Sequence, residues 1–146
     1  MKWLISHSLE KLSTSVLLIR LMVGAVFLSE GIQKFLFPDA LGVGRFIKIG
    51  IPAPHILAPF VGSVEIVCGL LVLIGLLNRL AAIPLIVVIS VAITSTKIPM
   101  LLHDGFWKMA HEARADWCML LGLIFLVLVG AGKWSVDDRL AGRKNE

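Results

Sequence analysis

Long apolar runs separated by shorter polar connections make up most of this chain. A bilayer core about 30 Å thick needs roughly 20 apolar residues in helical conformation to cross it. Four runs meet or approach that length: residues 15–37, 55–77, 80–96 and 117–134. The pattern predicts an all-α integral membrane four-helix bundle, formed as a single domain over residues 1–146.

The connections differ in kind. The dipeptide Asn78-Arg79 joins the second and third runs, which predicts an antiparallel hairpin. Residues 38–54 and 97–116 mix apolar with charged positions, so we expect a short interfacial helix in each, the first of them ending at Gly50. After the last run, Gly132 is expected to stop the helix.

A short helix is predicted after that stop, over residues 136–140. Ser135 is placed to cap it, because a serine side chain before a helix accepts a hydrogen bond from a free backbone N–H. Asp137 would lie near the positive end of the same helix. Both residues are therefore expected to have structural roles.

Composition agrees with a membrane protein. Hydrophobic residues make up 58% and charged residues 16%, and the mean hydropathy is +0.91. The net charge of +4 does not indicate nucleic-acid binding, because much of the positive charge flanks apolar runs. With four spans, the side holding both termini and the hairpin carries seven Lys and Arg residues against five on the other side. That excess favours cytoplasmic termini.

Apart from Lys133, near the end of the fourth run, four charged residues fall inside the apolar runs, where a charge costs roughly 2.5–3.5 kcal/mol on insertion scales. They are Arg20, Glu30, Lys34 and Glu65. On a helical wheel Lys34 lies within about 40° of Arg20 and Glu30 lies about 80° away, so the first helix has one polar stripe. Glu30 and Lys34 are also spaced to pair. Across the bundle, Arg20 or Lys34 is predicted to lie within salt-bridge reach of Glu65.

Two interpretations of this polar group stay open. In the first, it forms a pocket that binds a quinone head group or an anionic substrate, or that relays protons. In the second, it is a buried ion-pair network that locks the helix register. No nucleotide-binding motif is present, so no intrinsic cofactor is expected. His103 and His111 have no recognised zinc spacing, and no metal is expected.

Several short motifs carry a family resemblance. They are Arg20-Leu21, Gly24, Phe27 and the segment 31–35 that begins at Gly31; Gly50-Ile51-Pro52-Ala53-Pro54; Ala58, Gly62, Glu65 and the segment 69–76 that begins at Gly69; Arg79-Leu80-Ala81-Ala82; and residues 130–137, which include Ser135 and Asp137. In this order they resemble the DoxX family of small bacterial membrane proteins. Glu30 departs from the family pattern.

The resemblance implies a four-helix bundle in the bacterial cytoplasmic (inner) membrane. It also implies an accessory or small membrane subunit of a quinone-linked redox system, with a quinone as the ligand and membrane or soluble redox subunits as partners. The alternative is a non-enzymatic module: a lipid, small-molecule or ion carrier, or an assembly scaffold. Whether the chain is an enzyme and whether it forms homo-oligomers both stay open.

Overall fold

The computed structural model describes the backbone of residues 2–142 and the side chains of residues 15–142. This part of the chain is all-α and contains no strand. Its helices are α1 (Lys2–Leu36), α2 (Val43–Lys48), α3 (Pro54–Ile74), α4 (Asn78–Ala92), α5 (Ile98–Asp104), α6 (Phe106–Glu112), α7 (Arg114–Val129) and α8 (Val136–Gly142), and a π-helical segment, Ile93–Lys97, links α4 to α5.

The four longest helices pack around one apolar core. Helix α1 contacts α3 and α7, and α4 contacts the same two helices from the other side. The core is filled by aliphatic and aromatic side chains from all four, among them Val23, Phe27, Val72, Leu85 and Leu123. Two ends can be named: the hairpin end holds residues 75–77 and 130–135, and the loop end holds residues 37–53 and 105–113.

Helices α1 and α3 approach each other through glycines. A Cβ atom on Gly31 would lie 2.7 Å from the carbonyl oxygen of Gly62, and one on Gly69 would lie 3.1 Å from that of Gly24. The glycines are seven residues apart on each helix, so they return to the same face after two turns. Small residues let helix backbones approach closely in a membrane, and here they set the register of the pair.

Three helical stretches are long and apolar enough to span a membrane: Ser15–Leu36, Pro54–Ile74 and Asn78–Asp104. The chain is therefore an all-α membrane protein. Helix α7 has 16 residues, about 24 Å at 1.5 Å per residue, and is shorter than these three. The fourth span and the cytoplasmic position of the termini stay predictions.

The third span is longer than the sequence pattern indicated. Residues 97–116 were expected to leave the bundle at Lys97, but the helix runs on through the π-helical segment to Asp104. The hydroxyls of Thr94, Ser95 and Thr96 hydrogen-bond to carbonyls three or four residues earlier. Pro99 is tolerated because it lies in the first turn of α5, where a missing N–H costs little.

The other predicted interfacial segment also holds a short helix. Helix α2 ends at Lys48, and Gly50 follows with φ +74°; Gly50 N–H donates to Ile47 O at 3.1 Å, which satisfies a carbonyl of the last turn. Pro54 then opens α3. At the hairpin end, α7 stops before Gly130 (φ +90°) and not at Gly132. Its last residue is Val129, so the helix ends five residues before Trp134, the end of the fourth apolar run.

Candidate functional site

A buried ion pair joins α1 to α3. Lys34 Nζ lies 2.6 Å from a carboxylate oxygen of Glu65, and the two side chains are 11% and 5% exposed. Glu65 lies near the middle of α3, whereas Lys34 is close to the C-terminal end of α1. The two meet because helical side chains lean toward the N-terminus of their own helix, which carries the Lys34 ammonium deeper into the bundle. The structure thus places Lys34 within salt-bridge reach of Glu65.

Glu30 is the third member of this group and lies at the bundle surface. Its carboxylate lies 3.9 Å from Lys34 Nζ, one helical turn earlier on α1, and its side chain is 51% exposed. Two carboxylates therefore flank one ammonium group, one buried and one reaching the bundle surface. We refer to Glu30, Lys34 and Glu65 as the acid–lysine cluster. It can both donate and accept hydrogen bonds at membrane depth.

Arg20 does not join this cluster, which corrects the expectation of one pocket for all four charges. It is 1% exposed and lies at the hairpin end. Its guanidinium donates to four carbonyl oxygens: Val72 at 3.1 Å, Leu73 at 2.8 Å, Ala131 at 3.2 Å and Trp134 at 3.3 Å. The antiparallel register places Arg20 beside the last turn of α3, where it donates to Leu73 O and to Val72 O, and Val72 O also accepts from Gly75 N–H at 3.2 Å. Glu65 is about 10 Å away along α3, because seven residues separate it from Val72.

The segment after α7 forms the rest of this arrangement. Ser135 is 2% exposed, and its Oγ accepts a hydrogen bond from Asp138 N–H at 3.1 Å, which confirms the predicted cap of α8. The same hydroxyl donates to Gly132 O at 2.7 Å. The serine therefore fixes both the turn and the helix that follows it.

Asp137 lies in the first turn of α8, as expected, and it also acts on a second helix. Its two carboxylate oxygens accept hydrogen bonds from Leu77 N–H at 2.9 Å and Asn78 N–H at 3.2 Å, which caps the start of α4. Sequence reasoning missed this second role, because it treated Asn78 as part of the connection. Helix α4 begins at Asn78 after Leu77, whose side chain cannot cap a helix, and Asp137 supplies the acceptor from elsewhere in the chain.

The remaining predicted motif residues serve packing or chain direction. Arg79 donates from Nη2 to Leu128 O at 3.2 Å and so ties α4 to α7. Gly31 and Gly69 lie at the α1–α3 contact. Pro52 is exposed in the turn before α3, and Pro54 is the first residue of α3.

Sequence reasoning missed a second ion pair, between Lys97 and Asp116. Their charged atoms are 3.1 Å apart, and Lys97 Nζ also donates to Glu112 O at 3.0 Å. Both residues had been assigned to one connecting loop, where a specific pair would not be expected. The extra turns of helix bring Lys97 to the start of α7. This pair joins the π-helical segment that follows α4 to the first turn of α7.

The other polar candidates do not form a site. Within the described side chains, no three His, Cys, Asp or Glu residues converge as metal ligands would. His103 and His111 are both exposed. Cys68 on α3 and Cys118 on α7 are free thiols.

Comparison with known proteins matches a large part of the chain to one family. The DoxX family model matches residues 15–98, which is more than half of the chain. The chain belongs to the DoxX family. The matched region includes Arg20 and the whole acid–lysine cluster.

Two relatives cover most of the DoxX protein described here. One, from Mycobacterium tuberculosis, is named "Uncharacterized membrane protein Rv3486"; it is 58% identical over 135 residues, covering 88% of this chain and 83% of the relative. The other, from Bacillus subtilis, is named "Putative oxidoreductase CatD"; it is 27% identical over 130 residues, covering 88% of this chain and 90% of the relative. No solved structure matches the chain.

Proposed function

We propose that this protein is an accessory membrane subunit of a quinone-linked redox system, and that the acid–lysine cluster binds the quinone head group. The observation that carries the proposal is the Lys34–Glu65 pair, buried between two candidate membrane spans at 2.6 Å. Ionisable residues within membrane spans are costly and commonly mark binding sites or proton relays. The name of the Bacillus subtilis relative adds support for a redox association.

The chemistry of the cluster suits both redox forms of such a head group. The Lys34 ammonium has three N–H donors, of which one faces Glu65, so it can donate to a carbonyl oxygen. The carboxylates of Glu65 and Glu30 can accept from a hydroxyl group. A bound quinone would supply electron exchange with the membrane pool.

The position of Glu30 gives the cluster a route to the bundle surface. Glu65 is buried, whereas the Glu30 side chain is half exposed. Both carboxylates lie near Lys34 Nζ, at 2.6 Å and 3.9 Å respectively. The Glu30 carboxylate is therefore open to the outside of the bundle, and Lys34 connects it to Glu65. In this arrangement Lys34 and Glu65 hold the head group and Glu30 lies at its edge.

Quinone content measured by mass spectrometry tests the proposal. The protein is purified in mild detergent from bacterial membranes, and bound quinone per protein is compared with that of Lys34→Gln and Glu65→Gln. The Asp104–Lys108 pair is a matched control, because it is also a lysine–carboxylate pair, at 3.1 Å, but is exposed. We expect quinone in the native protein and in Asp104→Asn, and a loss of about tenfold or more in the two cluster variants. Equal quinone content in all four proteins, or none in the native protein, contradicts the proposal.

A further inference from the structure

A second region with binding character lies at the hairpin end, away from the acid–lysine cluster. A hollow of about 280 Å³ opens beside the start of α4 and is lined by Leu77, Asn78, Arg79, Leu80, Gly130, Ala131 and Asp137. It lies at the turn between two candidate membrane spans, which is the depth of lipid headgroups. We call it the headgroup hollow.

Asn78 is a buried wall of the headgroup hollow and is not a ligand-binding group. It is 1% exposed, and its Nδ2 donates a long bond, 3.5 Å, to Leu126 O. The polar groups that a ligand in the hollow can reach are therefore those of Arg79 and Asp137.

The hollow also carries both signs of charge. Arg79 is exposed, and within the described residues it makes one hydrogen bond, to Leu128 O. Its guanidinium can thus bind a phosphate through its other N–H groups. Asp137 lies on the same hollow, and its carboxylate can accept further hydrogen bonds beyond the two from α4. A headgroup with one positive and one negative charge would match this pair.

An apolar groove continues from the hollow toward the membrane interior. Its volume is about 320 Å³, and it is lined by Cys68, Leu71, Leu77, Leu80, Ala81, Ile83 and Pro84. Leu77 and Leu80 line both the hollow and the groove. A single ligand with a polar head and an apolar chain could therefore occupy both.

We infer that the hairpin end binds one phospholipid whose headgroup joins a phosphate to a hydrogen-bond-donating ammonium group. Arg79 binds the phosphate, Asp137 accepts a hydrogen bond from the ammonium group, and an acyl chain lies in the groove between α3 and α4. The occupant is a phospholipid and not a quinone, because a quinone head has no charges to match Arg79 and Asp137. The site is separate from the one proposed for the quinone and does not depend on it.

Native mass spectrometry with defined lipids tests this site. The purified protein is titrated in detergent with dioleoyl phosphatidylethanolamine and, separately, with dioleoyl phosphatidylcholine, whose methylated ammonium cannot donate a hydrogen bond. We expect one tightly bound phosphatidylethanolamine, with phosphatidylcholine about tenfold weaker or more. Equal affinity for the two lipids would overturn the inference.

Two variant pairs locate the lipid. Arg79→Gln should weaken phosphatidylethanolamine binding about tenfold, whereas Arg45→Gln, an exposed arginine at the loop end, should leave it unchanged. Leu80→Trp should block the groove, whereas Val87→Trp, exposed on α4 outside the groove, should not. Equal effects within either pair, or release of a quinone instead of the phospholipid by Leu80→Trp, would place the lipid elsewhere and refute the site.

Discussion

Arg20 at the hairpin end and Lys34 in the loop-side half of the bundle are both cations within one helix, α1, but they are held differently. Arg20 donates to four backbone carbonyls and leaves little hydrogen-bonding capacity for a ligand. Within the described residues, the ion-pair partners of Lys34 are two carboxylates, at 2.6 Å and 3.9 Å. Burial of a charge in a membrane helix therefore does not by itself indicate a binding site. A site also needs hydrogen-bonding capacity that the partners of the charged group leave free.

The largest effect is expected from removing Arg20. Arg20→Leu leaves four carbonyls at the hairpin end without their donor, and we expect a loss on the order of 4 kcal/mol or more in the free energy of unfolding in detergent. Arg45→Leu is the matched control, because Arg45 is exposed on α2. Similar losses in the two variants would mean that the Arg20 hydrogen bonds do not hold the hairpin end together.

Breaking the buried pair comes next. Glu65→Gln should cost about 3–5 kcal/mol in the same measurement, because it removes the buried counter-charge of Lys34 and leaves the more distant, half-exposed Glu30 carboxylate at 3.9 Å. Glu65→Asp should cost less, because the charge remains. A stability unchanged by Glu65→Gln would show that the pair is not buried as the structure has it.

The glycine contact that sets the α1–α3 register gives a smaller effect. A methyl group at Gly31 meets backbone atoms of Gly62 and Ile66 at 2.7 and 2.9 Å, so Gly31→Ala should cost about 1–3 kcal/mol. It should also weaken the Lys34–Glu65 pair by separating the helices. Gly142→Ala is the control, since a methyl group there has no neighbour within 4 Å. No difference between the two alanine variants would argue against close packing of α1 on α3.

Loss of the cap at α8 should have the smallest effect. Ser135→Ala removes the acceptor for Asp138 N–H and should cost about 1 kcal/mol, measured as a lower unfolding midpoint in detergent. Quinone content should stay at the native level, because Ser135 lies at the hairpin end. A variant that unfolds like the native protein but loses bound quinone would place Ser135 in the functional site.

The sequence predicted what depends on local pattern. Apolar run length gave the membrane helices, and the spacing around Ser135 gave its cap. The separation of Arg20 from Glu65 depends on the register of α1 against α3. The contact of Asp137 with the start of α4 depends on how the segment after α7 meets the hairpin. A helical wheel places Arg20 and Lys34 on one face of α1. It does not show which residues of a neighbouring helix lie at the same height in the bundle. The Lys97–Asp116 pair was missed for a different reason, because the helix continues past Lys97, the charged residue at which the apolar run ends.

A double variant distinguishes ligand binding by the Lys34–Glu65 pair from a role in fixing the helix register alone. Lys34→Met with Glu65→Leu replaces both charges with apolar side chains, and such replacement of a buried pair is often neutral or stabilising. We expect a protein at least as stable as the Glu65→Gln variant, with bound quinone, measured by mass spectrometry, at least tenfold below the native content. A stable double variant that keeps the native quinone content would contradict ligand binding by the pair.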